Sequence, residues 1–240
     1  MSAASRFWWV VGGVGVVALW TSSGLYAATA SGLVGTTEPE SGGPLPEYVE
    51  SYLAYRRLLF PYEQWENWTL VLALLAIGLL AAGLSLGARD GGAAIPVRLG
   101  ALALGSGALV AAVAQVTYLG AVERVFAVSA IAFFDTGSLA TMVDVASRID
   151  DYVENLGFLM MAAGLIPLAW TGGSRGDRSR GFRAASWALA IALAATVAAS
   201  FTEAAVAVPI LLVAGFAVAP AWMLIAAHSL DSPSGSMSRG

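Results

Sequence analysis

Trp68–Ala88 reads WTLVLALLAIGLLAAGLSLGA, a run without a single charge, bounded by Glu66-Asn67 on one side and Arg89-Asp90 on the other. Coiled into a helix at about 1.5 Å per residue, it reaches across roughly 30 Å of hydrocarbon. A helix also satisfies its own backbone N–H and C=O groups, as the bilayer core demands. Five further segments have the same character: Phe7–Ala30, Val97–Gly120, Tyr152–Thr171, Phe182–Thr202 and Ala205–His228. The pattern predicts an all-α polytopic transmembrane helix bundle of six spans, forming one membrane domain over residues 1–230. Residues 231–240 are expected to be a disordered tail.

Composition agrees. Hydrophobic residues make up 58% of the 240-residue chain and charged residues 12%, against roughly 25% charged in ordinary soluble domains. A soluble enzyme, a nucleic-acid binder and a disordered chain are excluded. There is no cysteine, which removes disulfides and thiolate chemistry. All twelve basic residues are arginine, so a lysine Schiff base, a catalytic lysine and a P-loop are excluded as well. One histidine, His228, cannot build a multi-histidine metal or haem site. Neither a cofactor nor a metal is expected.

Charge placement sets the orientation. With both termini cytoplasmic, eight arginines fall inside and four outside, and four of the inner ones lie in the loop Gly172–Arg183. Thirteen of the sixteen carboxylates fall outside. The short run Val125–Phe134, about half a crossing, is read as an interfacial or re-entrant helix, because counting it as a span would carry the basic loop outside. Phe7–Ala30 is read as a retained helix; the alternative is a secretory signal ending at Ala28-Thr29-Ala30. The localisation that follows is the cell membrane, multi-pass.

The outer loops, 31–67 and 121–151, are the elaborated ones. In the first, Gly32–Gly43 reads as flexible. Tyr48, Tyr52, Tyr55 and Leu59 then recur at helical spacing and predict an amphipathic helix over Glu47–Phe60, resting on the bilayer surface or capping the bundle. Trp65 and Trp68 extend it as an interfacial aromatic belt. In the second, Leu139, Met142, Val143, Ala146 and Ile149 form another stripe, and Asp144, Asp150, Asp151 and Glu154 read as solvated acidic surface. Within the hydrocarbon the notable polar residues are Ser106, Gln115 and Thr117 of the third span. Ala101/Gly105 and Ala103/Gly107 of that span are small-xxx-small pairs, which predicts that it packs closely and sits, with the alanine-rich fifth span, at the bundle centre.

The layout resembles a family of bacterial six-span membrane proteins described only as a domain of unknown function. The shared features are the long outer loop Ser31–Asn67, the helical segment Leu139–Glu154 before the fourth span, and the close pair of spans Arg183–His228 after a basic inner loop. The resemblance implies a six-helix fold and supplies no activity.

The expected function is non-catalytic: a subunit or binding module whose outer face engages a lipid, a small apolar ligand or a partner protein. Tyr48, Tyr52, Tyr55, Leu59 and Trp65 are the candidate binding residues. Expected partners are membrane lipids and a further membrane protein or a second copy, with no nucleic acid. One alternative is a transporter or channel for a small solute; another is an interfacial enzyme using outer-loop carboxylates.

Overall fold

The computed structural model describes residues 3–33, 45–88, 94–129, 136–171, 177–201 and 204–231. They form helices throughout: α1 (Ala3–Ala30), α2 (Leu45–Gly87), α3 (Ala94–Ser129), α4 (Thr136–Thr171), α5 (Asp177–Ala199), α6 (Ala204–Val213) and α7 (Ala219–Asp231). A π-helical turn, Ala214–Val218, joins α6 to α7 as one interrupted rod. Six helical stretches are long and apolar enough to cross a membrane, which identifies a multi-pass membrane protein. Residues 34–43 of the first loop, the turn at Glu203 and the tail 232–240 lie outside the described residues.

The helices follow one another round a ring. Each packs chiefly on its chain neighbours, and α7 returns to α1 to close the circle. Trp9 Nε1 donates to Asp231 Oδ2 at 3.0 Å across that closure. Among the described residues α3 and α5 make no contact. The expectation that these two small-residue spans share the bundle centre is therefore corrected.

The closest seam joins α3 to α4. A Cβ on Gly107 would stand 2.5 Å from the Gly157 carbonyl oxygen, and one on Gly100 would stand 2.6 Å from that of Gly164. These two glycine pairs lie seven residues apart on each antiparallel helix, two turns, so both fall on one seam. Gly105 differs. Its nearest neighbours would be Ala81 Cβ at 3.7 Å and the Gly78 carbonyl at 3.8 Å, ordinary contact distances on the α2 side. The small residue that matters at a membrane seam is the one facing a backbone.

Three helices are far longer than a bilayer requires. α2 has 43 residues, about 64 Å of helix, and α3 and α4 have 36 each. Their extensions pack together beyond the spans. Leu53 of α2, Val125 of α3, and Leu139 and Val143 of α4 form one buried cluster. Tyr118, Leu119 and Val122 form a second, against Phe60 and Phe126. Two expectations change here. Glu47–Phe60 is not a separate surface helix: it runs through Pro61 into the second span. The described part of Val125–Phe134 is the last turn of α3 and not an independent re-entrant element. Proline inside a helix costs about 3 kcal/mol or more, and packing of Leu53 and Phe60 on the neighbouring extensions opposes that cost.

In the last rod, Pro220 has no N–H to give the Phe216 carbonyl one turn earlier. Trp20 Nε1 of α1 donates to that oxygen at 2.9 Å. The interrupted helix is thus held by its ring neighbour, the usual condition for broken backbone at membrane depth.

Candidate ligand-binding cavity

The ring encloses a cavity of about 570 Å³ that opens toward the end where α2, α3 and α4 extend. On α2 its wall is made by Glu63, Glu66, Asn67, Leu70, Leu74 and Ile77. These recur every three or four residues and so share one helical face. On α4 the corresponding series is Asp150, Asp151, Glu154, Phe158 and Met161. Both helices switch from acidic to apolar at the same level along the rod. Leu189 and Leu193 of α5 complete the apolar floor, and Glu66 to Ile77 spans about 16 Å of depth.

One carboxylate at the mouth is paired. Arg56 Nη1 lies 3.1 Å from Glu63 Oε1, seven residues along α2 and on the far side of Pro61. The Tyr118 hydroxyl of α3 completes the clamp: it accepts from Arg56 and donates to Glu63 Oε2 at 3.4 Å. Asp151 feels the field of Arg148, whose guanidinium is engaged by Asp144 at 3.0 Å. Among the described residues no arginine pairs with Glu66, Asp150 or Glu154.

Asp150 instead meets an amide, and Glu154 lies in the field of Asp150, Asp151 and Glu66. Gln115 of α3, only 3% exposed, reaches Asp150 Oδ2 at 3.5 Å. Asp150 and Glu154 are four apart on α4, with Cβ atoms about 6 Å from each other. Ionising both at that separation would cost about 3 kcal/mol of repulsion at an effective dielectric of 20, and burial adds to the cost at Asp150, pushing its carboxyl up to about 7. A cation at the mouth would favour the ionised form of both.

Polar groups continue down the wall. Asn155 Nδ2 donates to Ser200 Oγ at 2.9 Å, linking α4 to α5. One turn deeper on α5, Thr196 lines the cavity and its hydroxyl has no hydrogen-bond partner. Opposite, Ser23 of α1 sits against Gly215 of the π turn so closely that a Cβ there would collide with its hydroxyl. Among the described residues no three acidic or histidine side chains converge as ligands of one metal ion would.

The residues singled out from sequence divide. Tyr55, Leu59 and Gln115 line the cavity. Tyr48 and Tyr52 stack on each other at 6.1 Å between ring centroids, and Trp65, 70% exposed, lies on another face of α2. Thr117 bonds back to the Val113 carbonyl at 2.8 Å and faces a separate apolar groove between α3 and α4. Ser106 is half-buried on α3 and is not among the cavity residues.

The reading of Asp150 and Glu154 as solvated surface is corrected, because they form the cavity mouth. Sequence reasoning misses Glu63, Glu66 and Thr196. The available signal is register: each acid continues the helical stripe that becomes core one or two turns later. Compared with family models, with curated proteins and with solved structures, the chain shows no match.

Proposed function

We propose that this is a cell-membrane binding module, non-catalytic, with its extended end outside and both termini in the cytoplasm, and that its ligand is a small, partly apolar molecule held in the ring cavity. The observation that carries the reading is the cavity itself, acidic at the mouth and apolar at the floor. A pocket of this size and lining, with a few polar groups to fix orientation, has the usual anatomy of a small-molecule site. The distribution of arginines supports the orientation. The tyrosine face of α2 is a wall of the site through Tyr55 and Leu59, and no longer the site by itself.

A mass-spectrometric test follows. Leu193→Trp places an indole in the floor and should exclude the occupant. Protein purified from native membranes should carry a small molecule that this variant lacks, with both forms monodisperse and of equal helical content. Identical bound species in parent and variant would count against the cavity.

Transport is the second reading, and one observation favours it. The π turn lies in the cavity wall through Ala214 and Gly215, and interrupted helices lining a cavity are where transporters place their sites.

A further inference from the structure

Resting on the cavity as the ligand site, we propose that its ligand is a protonated lipophilic amine, bound with its ammonium among Glu66, Asp150 and Glu154 and its apolar body on Leu74, Leu189 and Leu193. Three carboxylates without an arginine partner face a space whose floor is hydrocarbon. That combination matches a molecule with one positive end and one greasy end.

Two observations narrow the class. The first concerns geometry. A divalent metal ion needs several oxygens converging at coordination distance, and among the described residues no such group forms. An ammonium asks only for a negative field and hydrogen-bond acceptors at a looser spacing. The second is Thr196. It is 5% exposed, lines the cavity, and has a hydroxyl without a partner. A buried polar atom left unsatisfied costs about 1–3 kcal/mol. Ser200, one turn nearer the mouth, is already engaged by Asn155, whereas the Thr196 oxygen remains able to accept from an N–H inside the cavity. Asp150 Oδ1 is likewise buried and unpartnered. From the Asn155–Ser200 contact, Asp150 lies about 7 Å up α4 and Thr196 about 6 Å down α5, so the ammonium meets Asp150 Oδ1 and Thr196 takes a second donor further along the ligand.

Neutral lipids and free fatty acids meet the floor equally well and fail at the mouth. A fatty-acid carboxylate would find no arginine at Glu66, Asp150 or Glu154 to pair with and would bury its charge uncompensated.

Three probes of one length separate these cases: 4-phenylbutylamine, 4-phenylbutanol and 4-phenylbutyrate. Each is dialysed against the full chain in zwitterionic-lipid nanodiscs at pH 7, with the Leu193→Trp protein giving the lipid-partition baseline. The amine should bind saturably above baseline, at least tenfold more tightly than the alcohol, and the acid should not bind. Glu66→Gln combined with Glu154→Gln keeps shape and removes charge. It should weaken the amine at least tenfold and leave the alcohol unchanged, which also shows that the cavity is intact. Equal affinity for amine and alcohol, or an amine affinity unmoved by the double substitution, would overturn the cation assignment and leave the cavity reading standing. If none of the three probes exceeds the Leu193→Trp baseline, the cavity reading falls with it.

Discussion

Trp222→Ala should lower the unfolding free energy by about 3–5 kcal/mol, the range for truncating a large buried aromatic. Trp222 is fully buried, and its Nε1 donates to Ser186 Oγ, also fully buried, at 3.1 Å. In a membrane the lost term is packing more than the hydrophobic effect, because lipid tails are as apolar as the side chain removed. The void and the stranded Ser186 hydroxyl nonetheless remain inside the ring. Trp222→Phe separates the two contributions: it retains most of the ring contact and gives up the hydrogen bond, worth about 1 kcal/mol. Denaturant titration in mixed micelles measures both. An alanine variant as stable as the parent would show that α7 does not close the ring as described.

Gly164→Leu should be as damaging by the opposite route. A Cβ at Gly164 would collide with the Leu104 backbone nitrogen and stand 2.5 Å from the Gly100 carbonyl oxygen. Overpacking costs about 1–3 kcal/mol where side chains can shift, and more where backbone must part. Gly107→Leu should behave alike. Gly105→Ala is the contrasting case: its Cβ finds 3.7 Å of room, and glycine-to-alanine inside a helix gains up to about 1 kcal/mol. The expected order in melting temperature is Gly105→Ala at or above parent, then Gly107→Leu and Gly164→Leu well below. Equal losses at positions 105 and 107 would contradict the seam.

Six spans were legible because an uncharged run such as Trp68–Ala88 has few soluble explanations. The ends of the helices were not. Glu47–Phe60 read as a separate amphipathic helix, whereas α2 continues through Pro61 because Leu53 and Phe60 find apolar partners on the α3 and α4 extensions. Those partners are remote in sequence, and no local pattern announces them. The candidate site was missed for a related reason. Single-chain spacing shows that Asp150 and Glu154 share a face of α4, but only the ring closure by α1 and α7 decides whether that face meets water or a cavity. Gln115 was found because an amide in an apolar run stands out. Thr196 was not, since one hydroxyl among alanines is ordinary in a membrane helix.

The account rests on a cavity reached from the extended end, and the cysteine-free chain permits a direct measurement of it. Single cysteines at Ser51, Leu168, Ser174 and Thr196 are exposed in intact cells to an impermeant, positively charged thiol reagent. Ser51 lies exposed on the α2 extension and Leu168 is buried in the core. The positions at 51 and 196 should label, 196 should become unreactive when Leu193→Trp is added, and 168 and 174 should be spared. A silent position 196 beside a labelled position 51, or labelling at 174 from outside, would contradict the cavity and the orientation respectively.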